Sequence, residues 1–186
     1  MWSDVAEVAF DVFNPGLPGG GQDLNYDRQF DKKGQLRVPL AISGAFKERL
    51  NASGWFDEEV VAAGIVTQGK AMSLFSMMTG TALIELARAR RSKSLPREFC
   101  VAVTETKVIA LAMSAWSEGD DSDAVVKVKR EQVGAWSRGW VRIEPDGRKL
   151  ASGQRGGTID LAGLEQFPVN WAADSDSDEV VELLAR

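Results

Sequence analysis

Phe99-Cys100-Val101-Ala102-Val103-Thr104-Glu105-Thr106-Lys107-Val108-Ile109-Ala110-Leu111-Ala112-Met113-Ser114 decides the fold class of this chain. Two apolar runs rich in β-branched residues flank a short polar turn at Glu105-Thr106, the pattern of a β-hairpin. An antiparallel sheet is therefore expected at the centre of the fold. Downstream, Val126 and Val128 alternate with Lys127 and Lys129, as in a half-buried antiparallel strand over Val125 to Arg130. Further strands are expected at Val133 to Ser137, Trp140 to Glu144, Arg148 to Ser152 and Thr158 to Leu161, separated by Ser-Arg-Gly, Pro-Asp-Gly and Arg-Gly-Gly. Asp174 to Asp178 supplies an acidic start for a closing helix, Glu179 to Arg186, with Val180, Val181, Leu183 and Leu184 inward.

Upstream of the hairpin, Glu58 to Lys70 reads as the first strand, with a helix through Val60 to Ala63 as the competing assignment. Ala71 to Ile84 is uncharged and rich in methionine, leucine and phenylalanine, and a helix is expected over about residues 79–91. The first 57 residues read as an arm. Ser3 caps a short helix that Asn14-Pro15-Gly16 ends, Pro18 to Gly21 is a linker, Gln35 to Leu40 is extended, and Ser43 caps a helix over 44–52. Its aromatic residues predict that the arm packs on the domain or on a second copy. The resulting fold class is mainly β with α (α+β). It is a small antiparallel barrel or sandwich of about seven strands over residues 58–186, closed by a C-terminal helix and carrying a helical insert at about 71–95. An N-terminal helical arm and linker, 1–57, precedes it.

The chain has 186 residues, 22 Lys and Arg, 27 Asp and Glu, and a formal net charge of −5. That is long enough for one principal domain with a core. The acidic balance opposes general affinity for phosphate backbones, so no nucleic-acid partner is expected. Histidine is absent, which removes Ser-His-Asp and Cys-His catalysis and every histidine metal site. Cys100, the single cysteine, lies in an apolar strand and reads as a small buried hydrophobe. The start, Met-Trp-Ser-Asp-Val-Ala-Glu, has neither a basic region nor an apolar core, so a cytoplasmic location is expected.

A strand before a long insert, a hairpin turning at Val-Thr-Glu-Thr-Lys-Val, several short antiparallel strands and a closing amphipathic helix together resemble bacterial pleckstrin-homology-like and GRAM-like domains. The clearest local likeness is Cys100 to Leu111, which resembles the group's strand, Thr-x-x-Arg/Lys, strand pattern. The resemblance covers about residues 58–186. It implies two nearly orthogonal sheets closed at one end by the C-terminal helix, used as a binding or assembly module without catalysis.

Gly64-Ile65-Val66-Thr67-Gln68-Gly69-Lys70 matches part of a phosphate-binding loop, but Ala71 stands where a magnesium-binding hydroxyl is required, so no nucleotide cofactor is expected. The carboxylates at Asp120, Asp121 and Asp123, and at Asp174, Asp176 and Asp178, lack EF-hand spacing and read as a solvated loop and a helix start. Trp116, Trp136, Trp140 and Trp171 read either as core mass or as an aromatic ligand site. Met77 and Met78 beside Arg88, Arg90, Arg91, Lys93 and Arg97 form the strongest candidate contact for a partner or lipid. The alternative is that the apolar residues pack on the sheet or a neighbouring subunit, with the basic residues solvated.

The function expected is a non-enzymatic intracellular binding or scaffold module that acts by protein contact or as a homo-oligomer. Two other readings stand beside it: a peripheral membrane adaptor binding anionic lipid through 71–97, and an enzyme of unidentified type. No catalytic residue, cofactor or metal site is assigned.

Overall fold

The hairpin forms as expected. In a computed structural model describing residues 29–69, 92, 94–114, 125–149, 153–173 and 175–185, strands β3 (Glu98–Thr104) and β4 (Lys107–Ser114) pair antiparallel from Phe99↔Ala112 to Val103↔Val108. Their continuous apolar runs follow from burial on both faces. Phe99, Val101, Val103, Val108 and Ala110 face one core, and Cys100, Ala102, Ile109 and Leu111 face another.

Around this hairpin lie β1 (Leu36–Pro39), α1 (Ala45–Ala52), β2 (Val60–Gln68) and β5 (Val125–Ser137). A 3-10 turn, Arg138–Trp140, leads to β6 (Val141–Lys149), β7 (Gln154–Leu161), β8 (Glu165–Ala172) and the closing helix α2 (Ser175–Leu184). The strands form one eight-stranded sheet in the order β1-β5-β4-β3-β2-β8-β7-β6, antiparallel at every pairing. The sheet does not close, so the expected barrel is corrected to an open sheet. Its outermost strands, β1 and β6, have no second strand partner among the described residues.

The sheet is narrow where its halves meet, because β2 pairs with β8 only through Thr67↔Asn170 and Gln68↔Val169. The strands beyond this neck turn back over the others: Ile143, Ile159, Phe167, Val169 and Trp171 share a core with Phe99 and Val101. Helix α2 completes this core with Val180, Val181 and Leu184, each contributing about 1.5–3 kcal/mol of apolar burial as an upper estimate. On the opposite face, Phe46 and Leu50 of α1 pack with Ala63, Cys100 and Ala102, small residues that let a helix lie close to the strands.

A bulge in β2 determines which β2 side chains serve which core. Val60 lies opposite Thr104 and Ala62 opposite Val103, so Val61 is the extra residue. Val60 consequently joins Ala63 in the α1 core, whereas Ala62 joins Val66 in the α2 core.

Several sequence expectations change. The two strands expected over 125–137 are one strand, whose bulges lie at the Ala110/Leu111 and Leu111/Met113 steps of its pairing with β4. The Pro-Asp-Gly segment expected to separate two strands lies within β6, absorbed by a register shift between Pro145 and Lys149. β8 was not anticipated, although Phe167, Val169 and Trp171 alternate with Gln166, Pro168 and Asn170. Within the segment assigned to an arm, Leu36–Pro39 is a sheet strand and Phe46 and Leu50 are core residues.

The helix expected over 44–52 forms, but Gly44 rather than Ser43 is its N-cap, at a φ of 82° that favours glycine. The Gly44 amide donates to Asp176 Oδ1 at 2.6 Å, linking the starts of α1 and α2. The expected arm helix from Ser3, the linker at 18–21 and the helix at 79–91 lie outside the described residues.

Candidate functional site

Three carboxylates hold turns. Glu58 staples the central hairpin: Thr104 Oγ1 donates to Glu58 Oε2 at 2.7 Å, Thr106 Oγ1 to Oε1 at 2.6 Å, and the Thr106 amide to Oε2 at 3.2 Å. Lys107 Nζ lies 3.9 Å from Glu58 Oε1, and its amide donates to Thr104 Oγ1 at 2.9 Å. Thr104 and Lys107, which carried the family resemblance, thus lock the turn. Asp31 accepts from the Lys33 and Gln35 amides, and Asp160 from Gln166 Nε2 and the Gly163 amide.

These bonds hold all three carboxyls below their ordinary range. For Glu58 the Thr106 hydroxyl is the main cause, followed by Thr104; for Asp31 it is the Gln35 amide; for Asp160 it is the Gln166 side chain. A lowered folded-state value contributes stability above the unfolded value and loses it as pH falls through the folded value. Glu58→Gln is therefore expected to be less stable than wild type at pH 7, with the difference shrinking below about pH 4. Thermal melts at both pH values check this, and an equal deficit at both would exclude the carboxylate's role.

A buried polar knot ties the end of β2 to Ser92 and to the segment that enters β3. Gln68 Nε2 donates to the Leu95 and Pro96 carbonyls, both at 2.8 Å, and Gln68 Oε1 accepts from the Ser92 amide at 2.8 Å. The Ser92 hydroxyl donates to Glu165 Oε2 at 2.7 Å, and Asn170 Nδ2 to the Gly69 carbonyl at 3.1 Å. Of the seven candidate contact residues, Arg97 is the one described. It is exposed beside this knot, with its carbonyl accepting from the Gln68 amide at 2.7 Å. Met77, Met78, Arg88, Arg90, Arg91 and Lys93 lie outside the described residues.

Two clefts flank Trp171. One, of about 620 Å³, lies between strands β6 and β7 and helix α2 and is lined by Pro145, Arg155, Trp171, Asp178, Val181 and Glu182 among others. The other, of about 510 Å³, includes Leu40, Ile42, Ile65, Met113, Trp171 and Asp176 in its lining. Trp171 Nε1 donates to Asp178 Oδ1 at 3.0 Å, and Arg155 Nη2 lies 3.4 Å from Asp178 Oδ2. The carboxylates considered for a cation thus have structural partners: Asp176 holds Gly44, and Asp178 holds Trp171 and Arg155. Among the described residues no three acidic or cysteine side chains gather as metal ligands. Asp120, Asp121, Asp123 and Asp174 lie outside them.

The remaining sequence candidates separate in space. Gly64 to Gln68, the core of the phosphate-loop match, is strand backbone within β2. Cys100 is buried, and burial pushes its thiol up to about 12. Trp171 belongs to the core and Trp136 packs against it, but Trp140 is 67% exposed; Trp116 lies outside the described residues.

Trp140, which the sequence offers as core mass or part of an aromatic ligand site, instead opens an exposed surface near the β7–β8 turn. Its carbonyl accepts from the Ala162 amide at 2.6 Å, which ties the start of β6 to the β7–β8 turn, where Leu164 is 85% exposed. Beside it, exposed Arg142 and Glu144 alternate with buried Val141 and Ile143 on an outer strand. The sequence signal was Trp140 itself, an aromatic residue at a Gly-Trp strand start. Among the described residues no helix is long and apolar enough to cross a membrane. No protein-family model matches the chain, and no curated protein matches it.

Proposed function

We propose that this chain is a non-enzymatic binding module of the pleckstrin-homology-like type, acting by protein contact and self-association. The strand order supports the fold part of this reading. With β1 set aside, seven strands run β5-β4-β3-β2-β8-β7-β6, a four-stranded and a three-stranded meander joined through β2 and β8. Helix α2 packs into the core that the two meanders share.

The observation that carries the contact reading is the exposure of two large apolar side chains, Trp140 at the start of β6 and Leu164 in the β7–β8 turn, near an outer strand with no second strand partner among the described residues. Large apolar side chains left exposed near a sheet edge are the kind of surface that partners bury. Light scattering behind size exclusion, over a range of protein concentrations, tests it. A discrete oligomer is expected, with association weakened on the order of tenfold in Trp140→Ser/Leu164→Ser. A strictly monomeric mass combined with salt-sensitive binding to anionic vesicles would favour the membrane-adaptor reading instead.

A further inference from the structure

We infer that the outer edge of β6, which no other strand covers among the described residues, pairs antiparallel with β6 of a second copy, with Ile143 on the two-fold axis; this rests on the self-association reading above. The bond between the Ala162 amide and the Trp140 carbonyl makes Trp140 and Ala162 a hydrogen-bonded pair. Antiparallel pairing alternates, so Arg142↔Asp160 and Glu144↔Thr158 bond in the same way, and the main-chain groups of Val141, Ile143 and Pro145 point away from β7. That outward row is a template for another strand.

The sheet's other exposed edges are poorer templates. β1 has four residues and ends in Pro39. Beyond Val128, where its pairing with β1 begins, β5 presents Lys129, Arg130 and Glu131 and is interrupted by bulges, both of which discourage edge pairing. β6 keeps an unbroken register with β7 from Val141 to Pro145.

Charge fixes the register. With Ile143 opposite its own copy, Arg142 faces Glu144 of the partner subunit and Glu144 faces Arg142 of the partner subunit. These are two unlike pairs on the exposed face. A shift that centres the pairing on residue 142 sets arginine against arginine, and one that centres it on residue 144 sets glutamate against glutamate. In the favoured register the two Ile143 residues exchange amide and carbonyl, and each Val141 amide meets the partner's Pro145 carbonyl. Proline lacks an amide at this point, which limits the ladder to a short, self-complementary contact.

Mixing complementary charge variants tests this register. Glu144→Arg makes both cross-axis pairs basic and Arg142→Glu makes both acidic, so each variant alone is expected to dimerise on the order of tenfold more weakly. An equimolar mixture of the two restores unlike pairs and is expected to recover the wild-type dimer mass as a heterodimer. Circular dichroism melts control for folding, which matters because Arg142 also lies opposite Asp160 within the chain. Single variants that remain fully dimeric, or a mixture that stays monomeric, would overturn the β6 pairing while leaving self-association through another surface intact. A monomeric wild type would overturn both.

Discussion

Gly64→Ala is expected to unseat the C-terminal helix and to lower unfolding stability by about 3 kcal/mol, the upper end for one methyl group forced into a packed site. A Cβ at this position would lie 2.7 Å from the Ser177 Cα and 3.0 Å from the Ser177 nitrogen. The obstruction is main chain, so a rotamer change cannot relieve it. α2 would have to lift from β2, drawing Val180, Val181 and Leu184 out of the shared core and breaking the bond from Trp171 to Asp178. Urea unfolding followed by tryptophan fluorescence measures the loss. Gly139→Ala, where an added Cβ meets nothing within 4 Å, is the matched control. Equal stabilities for the two variants would show that α2 does not rest on Gly64.

Gln68→Ala is expected to cost about 2–4 kcal/mol, because it strands buried groups that have one shared partner. The Leu95 and Pro96 carbonyls lose their common donor, and the Ser92 amide loses its acceptor. Gln68 is 4% exposed and Ser92 9%, so water does not readily replace these bonds. The diagnostic readout is amide hydrogen exchange at Ser92, which should accelerate in Gln68→Ala. Gln68→Glu keeps an acceptor for Ser92 but sets a carboxylate against two carbonyls, so it should restore little stability. An unchanged Ser92 exchange rate in Gln68→Ala would remove the clamp between the end of β2 and Ser92.

The two substitutions act through different physics, steric in one case and polar in the other. Both sites lie on β2, the strand that joins the halves of the sheet. Gly64 receives α2, and Gln68 ties the end of β2 to Ser92. Disturbing either should loosen the relation between the two meanders more than it disturbs the β3–β4 hairpin. The hairpin has its own staple in Glu58 and Thr104.

Local chemistry in the sequence was enough to specify the β3–β4 hairpin, β2, the extended segment at β1, the first-turn carboxylates of α2 and the burial of Cys100. Each depends on a run of neighbouring residues whose periodicity, turn chemistry or capping is complete within a few positions. Tertiary structure alone decided that the sheet is open and folded at Thr67 and Gln68, that Val61 is a bulge dividing β2 between two cores, and that α1 belongs to the sheet. It also decided the surface, leaving Trp140 outside while Trp171 is buried and placing Arg142 and Glu144 on an outer strand. Such outcomes depend on which distant strands become neighbours, and that choice is made by burial summed over the whole core, beyond the reach of any local pattern.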